Sequence, residues 1–596
     1  MKLYKTIIDD FLLITDKIPN QISLKYKKAG VYASVTFAEL RDKVEKFAKS
    51  LSEIGYGREN KLAILSENRY EWVIADLATQ LIGTINVPIY PTLSEEQTHQ
   101  LLEHSQSQGV VVSTEHQLRK VLAVCDKLPK LKHIFFCEPH TLGTQAKLTS
   151  FHQMIQKQRE STEEWVYEQK EKIKSDDVVS MVYTSGTTAL PKGVMLTHEN
   201  FRSNYEASKK HYPSLVQGLV CLSILPLSHV FERTCGYYLE LSMGMTICYA
   251  ENMESIANDM LEIKPHAMIA VPRFFEKVYG RIKDRVDHSS FVKKKIFQFA
   301  LKIGHKRFES KTTLRGINAL KLKIADKLVY QKIKQSTGGR LKFFVSGGAA
   351  LSPEIASFFN YVGLPIYEGY GQTESGPVLT SNPEGQLKIG SIGKALPGVT
   401  IKIAEDGELL AKGPNVMKGY FNDPEATAQA IDGEGWLHTG DIARVDEEGY
   451  YFIIDRKKEM IVMSNGKKVA PAPIENKINL CPYIVQSNLI GEKKNYITAL
   501  VVPDYEKIKR VMPELLPQDH ASKKVYFEKD ASKLYEYLMK EIGLLTVEFG
   551  HHEQIKKILI LKEPFTEENR MLTPSQKVVR HLVKEKYKKE IDALYL

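Results

Sequence analysis

The sequence predicts an α/β protein with a large N-terminal domain of β-sheets flanked by helices, a small β-rich module, and a smaller α+β domain at the C-terminus. Short apolar strands alternate with helical stretches from about residue 24, which is typical of a sheet covered by helices. From Gly398 onward, strands alternate with glycine turns instead. A charged run at 455–459 then precedes a new β/α pattern that is long enough for an independent domain. We therefore predict domains at 1–455 and 456–596.

The predicted elements follow the apolar periodicity along the chain. A strand at 61–65 and a helix at 70–81 are the clearest, because the first is a short apolar run and the second has helical spacing. Other apolar runs predict strands at 110–113, 133–137, 178–183, 219–225, 268–271 and 341–345. In the C-terminal domain the same patterns predict strands within 484–502, a helix at 526–545 and a basic helix at 578–587.

Composition indicates a large folded protein. Of the 596 residues, 43% are hydrophobic, which supplies ample core. No segment approaches the roughly 18 apolar residues of a membrane span. The run 11–14 follows Asp9 and Asp10 and is too short for a signal peptide, so we expect a cytoplasmic protein. The six cysteines form no C-x-x-C pair, and they predict buried thiols rather than disulfides or zinc ligands.

Positive charge is concentrated between Arg281 and Arg340. This segment has 17 Lys and Arg against 4 Asp and Glu, a net charge of 17 − 4 = +13, whereas the whole chain carries +10. Its apolar residues recur at helical spacing, which predicts amphipathic helices with a basic face. Such a face is either ordinary solvated surface, or a contact for anionic lipid headgroups or for the phosphates of an acidic substrate. No nucleic-acid motif accompanies the charge, so a nucleic-acid partner is not predicted.

The most distinctive loop follows the apolar run 178–183 and precedes Thr197, which can begin a helix. Its hydrogen-bond donors and cation are Thr184, Ser185, Gly186, Thr187, Thr188 and Lys192. Backbone amides, hydroxyls and a lysine at a strand end can bind polyphosphate. A Walker loop is excluded, because Gly193 rather than Ser or Thr follows the lysine. Taken alone, this composition is more often that of a surface turn.

Further stretches with polar or glycine-rich sequences lie at predicted strand ends or turns. They are 225–233, 346–351, 367–374, 435–441 and 572–577. Together with the loop and the Asp455-Arg456 junction, this ordered set resembles the adenylate-forming (AMP-binding) superfamily, and within it the long-chain fatty acyl-CoA synthetases. The resemblance covers essentially the whole chain. It implies ATP-dependent ligation of a long-chain fatty acid to coenzyme A (CoA) through an acyl-adenylate, with release of AMP and pyrophosphate.

The resemblance also implies roles for individual residues. The loop from Thr184 to Lys192 would hold the β- and γ-phosphates of ATP. Mg²⁺ would be held by Glu374 with a hydroxyl of Thr184 or Thr373, an oxygen set that suits this ion. Asp441 would accept hydrogen bonds from the ribose, and Arg456 would contact ribose or phosphate. The adenine slot would be formed by Gly347, Gly348, Ala349 and Tyr370, and Gly371 would also be a nucleotide-binding residue.

Four further assignments concern catalysis, movement and the path of CoA. By resemblance, Lys577 would bridge the substrate carboxylate and the α-phosphate during adenylation. Lys458 would be the hinge about which a mobile C-terminal domain rotates between the two half-reactions. His229 would border the acyl and pyrophosphate region as a catalytic residue, and the turn 466–468 would line the path of CoA. Taken one by one, these residues have more common interpretations. A lone lysine is more often solvated, a lone histidine is more often structural, and an aspartate after a glycine is more often part of a turn.

Two departures from the family pattern stand out. Ala189 replaces the usual glycine of the phosphate loop, which would cost roughly 1 to 2 kcal/mol if that position needs a positive φ. No glycine directly precedes Lys577.

Two alternatives stay open. The same chemistry could act on medium-chain or aromatic acids, or transfer them to a carrier-protein thiol, or the chain could be an inactive, membrane-peripheral nucleotide-binding regulator. Retention of Lys577, Glu374 and Asp441 argues against the regulator.

Overall fold

The computed structural model describes the greater part of the chain, divided into two compact units. The described residues are 5–139, 147–156, 163–184, 191–252, 254–310, 315–516, 524–528, 531–573 and 578–595. The first unit comprises Met1–Lys402 and Leu410–His438, and the second comprises Ile403–Leu409 and Thr439–Leu596. The α/β class expected from the sequence is confirmed. The domain boundary expected between residues 455 and 456 stays a prediction.

The described part of the first unit contains a sheet of nine strands, parallel in its centre and antiparallel at both edges. Its strands, in spatial order, are Lys394–Ala395, Val378–Ser381, Ile366–Gly371, Phe343–Ser346, Ala267–Ala270, Val220–Ser223, Thr246–Tyr249, Ile22–Lys28 and Val31–Thr36. The carboxyl ends of its parallel strands therefore share one edge, where α/β sheets commonly bind ligands.

A second sheet of the first unit has eight strands within the described ranges. In spatial order they are Gly419–Tyr420, Lys192–Thr197, Val178–Thr184, Ile85–Ile89, Lys61–Leu65, Gly109–Val112, His133–Phe136 and Leu148–Ser150. Every residue of Lys61–Leu65 is buried, as expected for a parallel strand covered on both faces. The hairpin of Val178–Thr184 and Lys192–Thr197 is antiparallel and brackets the predicted phosphate loop.

Helices cover these sheets. The α-helices of the first unit are Ile7–Lys17, Phe37–Glu53, Tyr70–Leu81, Glu95–Ser105, Glu115–Leu122, Phe151–Gln156, Glu163–Lys172, His198–His211, Leu239–Ser242, Ile256–Ile263, Pro272–Asp287, Phe291–Ser310, Ile317–Ala325, Gln331–Ser336, Pro353–Tyr361 and Pro424–Ala430. Shorter helical turns are Cys125–Lys127, Glu232–Tyr238, Asp326–Tyr330 and Thr373–Ser375. Thr197 caps His198–His211. Its side-chain hydroxyl accepts a hydrogen bond from the amide of Asn200, and the side-chain oxygen of Asn200 accepts one from the amide of Thr197.

The second unit contains an antiparallel and parallel sheet of its own, described over Ile484–Ile490, Ile497–Pro503, Ile555–Leu561 and Val525–Tyr526. Its further elements are the hairpin Ile461–Val462 and Lys468–Val469, the helices Pro471–Ile478, Tyr505–Val511, Ser532–Leu545, Arg580–Lys586 and Lys588–Ala593, and the turns Pro513–Leu515 and His551–Glu553. The chain passes between the units on the strands Thr400–Ile403, Glu408–Lys412 and Leu437–Val445, and Tyr451–Arg456 pairs with the last of these.

Most predicted elements are confirmed, two of them residue for residue. The strand Lys61–Leu65 and the helix Tyr70–Leu81 have the predicted bounds. The helix predicted at 526–545 was wrong at its start, because Tyr526 instead pairs with Ile560 in the sheet and the helix begins at Ser532. The terminal helix predicted at 578–587 spans Arg580–Lys586, and a second short helix that was not predicted, Lys588–Ala593, follows it. All six cysteines are free thiols.

Candidate functional site

Two of the predicted nucleotide-binding stretches leave neighbouring parallel strands at the same edge of the nine-stranded sheet. Gly347, Gly348 and Ala349 follow Phe343–Ser346, and Tyr370 and Gly371 end Ile366–Gly371. The two strands pair in parallel register, with Ser346 opposite Glu368. The structure therefore brings together the residues that the sequence assigned to the adenine slot.

Glycine is required at two of these positions for different reasons. Gly348 has φ +84°, in the left-handed region. A Cβ at Gly371 would lie 1.9 Å from the carbonyl oxygen of Pro377. At Gly347 a Cβ would lie 3.0 Å from the ring of Phe231, so the missing side chain lets the stretch 225–233 pack against this turn.

Glu374 lies in the helical turn Thr373–Ser375, directly after the strand that contains Tyr370. Its Oε1 accepts a hydrogen bond of 2.8 Å from the hydroxyl of Tyr420, and its carbonyl accepts one from the amide of Met417. Burial and the Glu374 carboxylate raise the pKa of Tyr420 well above its usual value, so the phenol stays a donor. Sequence reasoning missed Tyr420, whose only local signal is a Gly-Tyr-Phe run after a glycine turn.

The predicted phosphate loop starts and ends at residues that are paired with each other. Thr184 ends its strand opposite Lys192. The ammonium of Lys192 lies 4.9 Å from the ring centre of Tyr420, a cation–π distance. Ser185, Gly186, Thr187, Thr188 and Ala189 lie outside the described residues. Lys192, Tyr420 and Glu374 thus form a chain of contacts that joins the phosphate-loop hairpin to the predicted magnesium ligand.

His229 lies in the stretch that follows Val220–Ser223, and it is half-buried. Its Nδ1 accepts a hydrogen bond of 3.1 Å from the amide of Phe231, which places the proton of the neutral ring on Nε2. Asn68 holds the same stretch from the other sheet: its side chain donates to the carbonyl of Leu225 at 2.6 Å and accepts from the amide of Leu227 at 2.8 Å. No motif of the sequence points to Asn68.

Arg233, at the end of the same stretch, has a structural environment. It is fully buried and forms an ion pair with the equally buried Asp76. Its guanidinium also donates to the hydroxyl of Tyr238 at 2.8 Å and to Ser180 Oγ at 2.6 Å. Since Ser180 lies on the phosphate-loop hairpin, this buried charge ties the stretch 225–233 to that hairpin.

A further buried carboxyl lies near the predicted adenine slot. Glu368 sits two residues before Tyr370, and burial raises its pKa to about 8. It is therefore largely protonated at neutral pH, so its carboxyl can donate as well as accept a hydrogen bond. Glu368 lies within the stretch 367–374, for which the motifs predict no role at this position.

In the second unit, Asp441 and Arg456 are paired across two antiparallel strands. Asp441 Oδ1 lies 3.4 Å from Arg456 Nε, and the carboxylate is buried whereas the guanidinium is about half exposed. The structure therefore places Asp441, the predicted ribose acceptor, beside Arg456, the predicted ligand of ribose or phosphate. The neighbouring Gly440 has φ +71°, and its amide donates to Glu408 Oε1 at 2.8 Å.

The predicted hinge residue follows directly. Lys458 is exposed in the turn after Tyr451–Arg456. On one side of it, Lys457 Nζ donates to Asp406 Oδ2 at 2.6 Å and to Glu408 Oε2 at 3.0 Å. On the other side, Glu459 Oε2 accepts from Arg580 Nε at 3.0 Å. Both neighbours of Lys458 are thus fixed by charge-assisted hydrogen bonds, while Lys458 itself is solvated.

Arg580 also forms a bidentate pair with Glu475, with bonds of 2.7 Å and 2.6 Å. Two-pronged bonding of this kind is specific to arginine. Lys577, the predicted adenylation lysine, lies outside the described residues, three positions before Arg580. The turn at Gly466, which the sequence assigned to the CoA path, connects Ile461–Val462 to Lys468–Val469.

The described residues contain no group of three or more His, Cys, Asp or Glu side chains that could hold a metal ion. Across the same ranges, no helix has the length and apolarity that crossing a bilayer requires.

Comparisons with known proteins identify the family. Residues 15–421 match the model of the AMP-binding enzyme family, and residues 458–596 match that of the AMP-binding enzyme C-terminal domain. A long-chain-fatty-acid–CoA ligase of Mycobacterium bovis is 32% identical, over 95% of this chain and 93% of the relative. Fatty acyl-CoA synthetase A of Dictyostelium discoideum is 30% identical, over 95% and 86%.

A solved structure shares the fold. The anthranilate CoA ligase AuaEII, in complex with anthranoyl-AMP, superimposes with a TM-score of 0.76 and covers 99% of both chains at 18% sequence identity. The resemblance inferred from the motifs is confirmed, as is the expectation of an AMP-forming acid–thiol ligase. The chain belongs to the AMP-binding enzyme family.

Proposed function

We propose that this ligase joins a long-chain fatty acid to CoA through an acyl-adenylate, with release of AMP and pyrophosphate. The observation that carries the proposal is that relatives matching 95% of the chain are named as ligases or synthetases of fatty acids with CoA. Their identity to this chain is 30 to 32%, so the acyl chain length is the part of the proposal that most needs a direct test.

The contacts of the first unit fit the demands of adenylation. The reaction brings a carboxylate onto the α-phosphate of ATP, so it is favoured by groups that neutralise charge and fix position. Lys192 supplies a cation at the end of the phosphate-loop hairpin, and Tyr420 connects it to Glu374. We assign Lys192 to the terminal phosphates and Tyr420 to holding the Glu374 carboxylate in place.

Mg²⁺ is the cofactor that this donor set fits. Glu374 Oε1 is occupied by Tyr420, whereas Oε2 accepts no hydrogen bond within the described residues. A carboxylate oxygen together with the Thr184 hydroxyl is the type of hard-oxygen set that Mg²⁺ prefers. When bound with ATP, the ion would neutralise phosphate charge, and Glu374 and Thr184 are the residues that we propose to hold it.

For the second unit we propose that Asp441 binds the ribose and that Arg456 contacts ribose or phosphate. Asp441 is buried and acceptor-rich, and the adjacent guanidinium of Arg456 keeps its carboxylate in place at 3.4 Å. We retain Lys577 as the residue that bridges the substrate carboxylate and the α-phosphate, His229 as a border of the acyl region, and Lys458 as the hinge.

Exchange of labelled pyrophosphate into ATP, measured across a panel of acids, tests the proposal. The panel contains palmitate, oleate, hexanoate, benzoate and anthranilate, each with Mg²⁺ and no CoA. We expect exchange to be fastest with palmitate or oleate, and we expect added CoA to convert the same acids into thioesters. A preference for hexanoate or an aromatic acid would replace the long-chain assignment by the alternative substrates.

The same assay decides between the remaining alternatives. Exchange without thioester formation on CoA would favour a carrier-protein thiol as the acceptor. Exchange with none of the acids, despite ATP binding, would favour the inactive nucleotide-binding regulator.

A further inference from the structure

The basic segment exposes a stripe of aliphatic side chains. Residues 317–336 form a continuous helical run, made of Ile317–Ala325, Asp326–Tyr330 and Gln331–Ser336. Exposed aliphatic residues occur on it at Ile317 (68%), Leu320 (59%), Ile324 (42%) and Leu328 (40%). This spacing of three, four and four residues places them along one side of a helix. We call this row the aliphatic stripe.

Lysines border the aliphatic stripe. Lys321 projects on one side of it and Lys327 on the other, as their positions on the helical wheel require, and the exposed Lys323 lies beyond Lys327. None of these lysines has an acidic partner among the described residues. The nearby Asp326 is instead engaged by Gln331 at 3.0 Å and lies 3.8 Å from Lys334.

The opposite side of the helical run is held by the rest of the unit. The hydroxyl of Tyr330 donates to the carbonyl of Ala300 at 2.6 Å, which joins the run to the helix Phe291–Ser310. That helix is seated in turn on the helix Pro353–Tyr361: a Cβ at Gly304 would lie 2.4 Å from the carbonyl oxygen of Tyr361, and Arg307 donates to the same carbonyl at 3.2 Å. The aliphatic stripe is therefore the outer face of a firmly packed helix pair.

An exposed aliphatic row on a stable helix needs an explanation, because single exposed apolar residues are ordinary but contiguous ones mark interaction surfaces. Aliphatic side chains flanked by lysines on both sides match a bilayer surface, since the side chains enter the acyl boundary while the ammonium groups meet lipid phosphates. The net charge of +13 over 281–340 adds a longer-range attraction to an anionic surface. A nucleic-acid surface would use the charge but would leave the aliphatic row in water.

We propose that the aliphatic stripe and its bordering lysines are a docking surface for an anionic phospholipid bilayer. The side chains of Leu320 and Ile324 lie at the centre of this surface, and Lys321, Lys323 and Lys327 supply its charge. The inference goes beyond the proposed ligase activity and is independent of it, because docking requires neither ATP nor an acid.

Co-sedimentation of the full chain with sucrose-loaded vesicles tests the proposal. Vesicles of phosphatidylcholine alone are compared with vesicles containing about one third phosphatidylglycerol, without ATP or fatty acid. We expect strong binding to the anionic vesicles only, and we expect it to weaken in about 1 M salt, where the Debye length falls to about 3 Å. Each lysine near an anionic surface contributes about fivefold in affinity, so exchanging Lys321, Lys323 and Lys327 for Gln should weaken binding about a hundredfold.

Matched variants distinguish docking through this surface from non-specific binding to vesicles. The double variant Leu320→Ser with Ile324→Ser removes the centre of the aliphatic stripe, and we expect it to lose at least about tenfold in vesicle affinity. Val31→Ser with Leu261→Ser removes similarly exposed aliphatic residues elsewhere in the unit, and Lys127, Lys130 and Lys132 changed to Gln remove three other exposed lysines. Both controls should bind vesicles as the unchanged chain does. Unchanged thermal unfolding of every variant shows that folding is not the cause.

Several outcomes would overturn the proposal. They are equal binding to both vesicle types, no binding to anionic vesicles at low salt, and equal losses in the control variants. Binding of an RNA homopolymer that depends on Lys321, Lys323 and Lys327, without binding of vesicles, would also overturn it. Failure of the ligase assay leaves the proposal standing, and failure of vesicle binding leaves the ligase assignment standing.

Discussion

The hydroxyl of Tyr420 donates a hydrogen bond of 2.8 Å to Oε1 of Glu374, and the two residues come from different sheets. Glu374 follows a strand of the nine-stranded sheet, whereas Tyr420 lies on the edge strand of the eight-stranded sheet. The bond therefore fixes the predicted magnesium ligand relative to the hairpin that contains Lys192. A substitution of Tyr420 can thus disturb the site without removing any charged group.

Tyr420→Phe is expected to lower kcat/KM for ATP in pyrophosphate exchange roughly 10- to 100-fold, because a hydrogen bond to a charged group contributes about 1.5 to 3 kcal/mol. Tyr361→Phe is the matched control, since its hydroxyl pairs with His305 on a surface helix. Unaltered exchange by Tyr420→Phe at all Mg²⁺ concentrations would contradict the positioning role.

Lys577→Ala is expected to lower the rate of adenylation by at least about a hundredfold, because charge neutralisation in the transition state is lost. Thioester formation from supplied acyl-adenylate should be largely retained. Single-turnover measurements of both half-reactions check this, with Lys584→Ala as a control for loss of a nearby lysine. Equal loss in both half-reactions would show that Lys577 does not act in adenylation specifically.

Gly371→Ala is expected to destabilise the first unit by about 2 to 4 kcal/mol. The added Cβ would meet the carbonyl of Pro377 at 1.9 Å, and backbone atoms there cannot move aside without disturbing strand pairing. Gly433→Ala is the control, because a Cβ at that position meets no atom within 4 Å. Urea unfolding measures both, and similar midpoints for the two variants would refute the steric argument.

The buried Asp455 should make the second unit less stable as pH rises. Burial raises its pKa from 3.8 to about 6, so the folded chain holds a proton that the unfolded chain has already lost between these values. Its contribution is fully present below about pH 4 and is lost as pH rises through about 6, amounting to about 2 to 3 kcal/mol. Asp455→Asn should flatten this part of the pH profile of urea unfolding. If the unfolding free energies of the unchanged protein and of Asp455→Asn differed by the same amount at every pH, the assignment would be contradicted.

Arg580→Lys is expected to weaken the second unit by about 1 to 3 kcal/mol, because a lysine cannot reproduce the bidentate bonds to Glu475. Since Arg580 lies three residues after Lys577 and also binds Glu459, the variant should slow adenylation more than thioester formation. Lys586→Arg, at the other end of the same helix, is the control. A loss of stability with both half-reactions unchanged would reduce Arg580 to a purely structural residue.

Much of the fold could be predicted from sequence because the central strands are short apolar runs. Lys61–Leu65 and Tyr70–Leu81 are defined by local patterns that tertiary contacts reinforce. The start of the helix Ser532–Leu545 could not be predicted, because Tyr526 is compatible with either a helix or a strand. Only its pairing with Ile560, a residue distant in sequence, places it in a strand.

The candidate site divides in a similar way. Motif order pointed to Gly347, Tyr370, Glu374 and Asp441. The structure places the first three at or just after strand ends, and Asp441 within the strand Leu437–Val445. Motif order did not point to Tyr420 or Asn68, because each acts through one contact with a residue distant in sequence: 46 positions for Tyr420 and Glu374, and 157 for Asn68 and Leu225. Arg233 ends the stretch 225–233, and only its buried partner Asp76 shows that its role is structural.

The strand Gly419–Tyr420 also covers an edge of the eight-stranded sheet. It pairs with Val194 and Met195 along the outer side of the phosphate-loop hairpin, and thereby covers a sheet edge that would otherwise offer free amides and carbonyls to another molecule. A nascent chain on the ribosome completes that hairpin more than 200 residues before this cover is synthesised. During that interval the hairpin edge is open to unwanted pairing, and protection by chaperones matters most there.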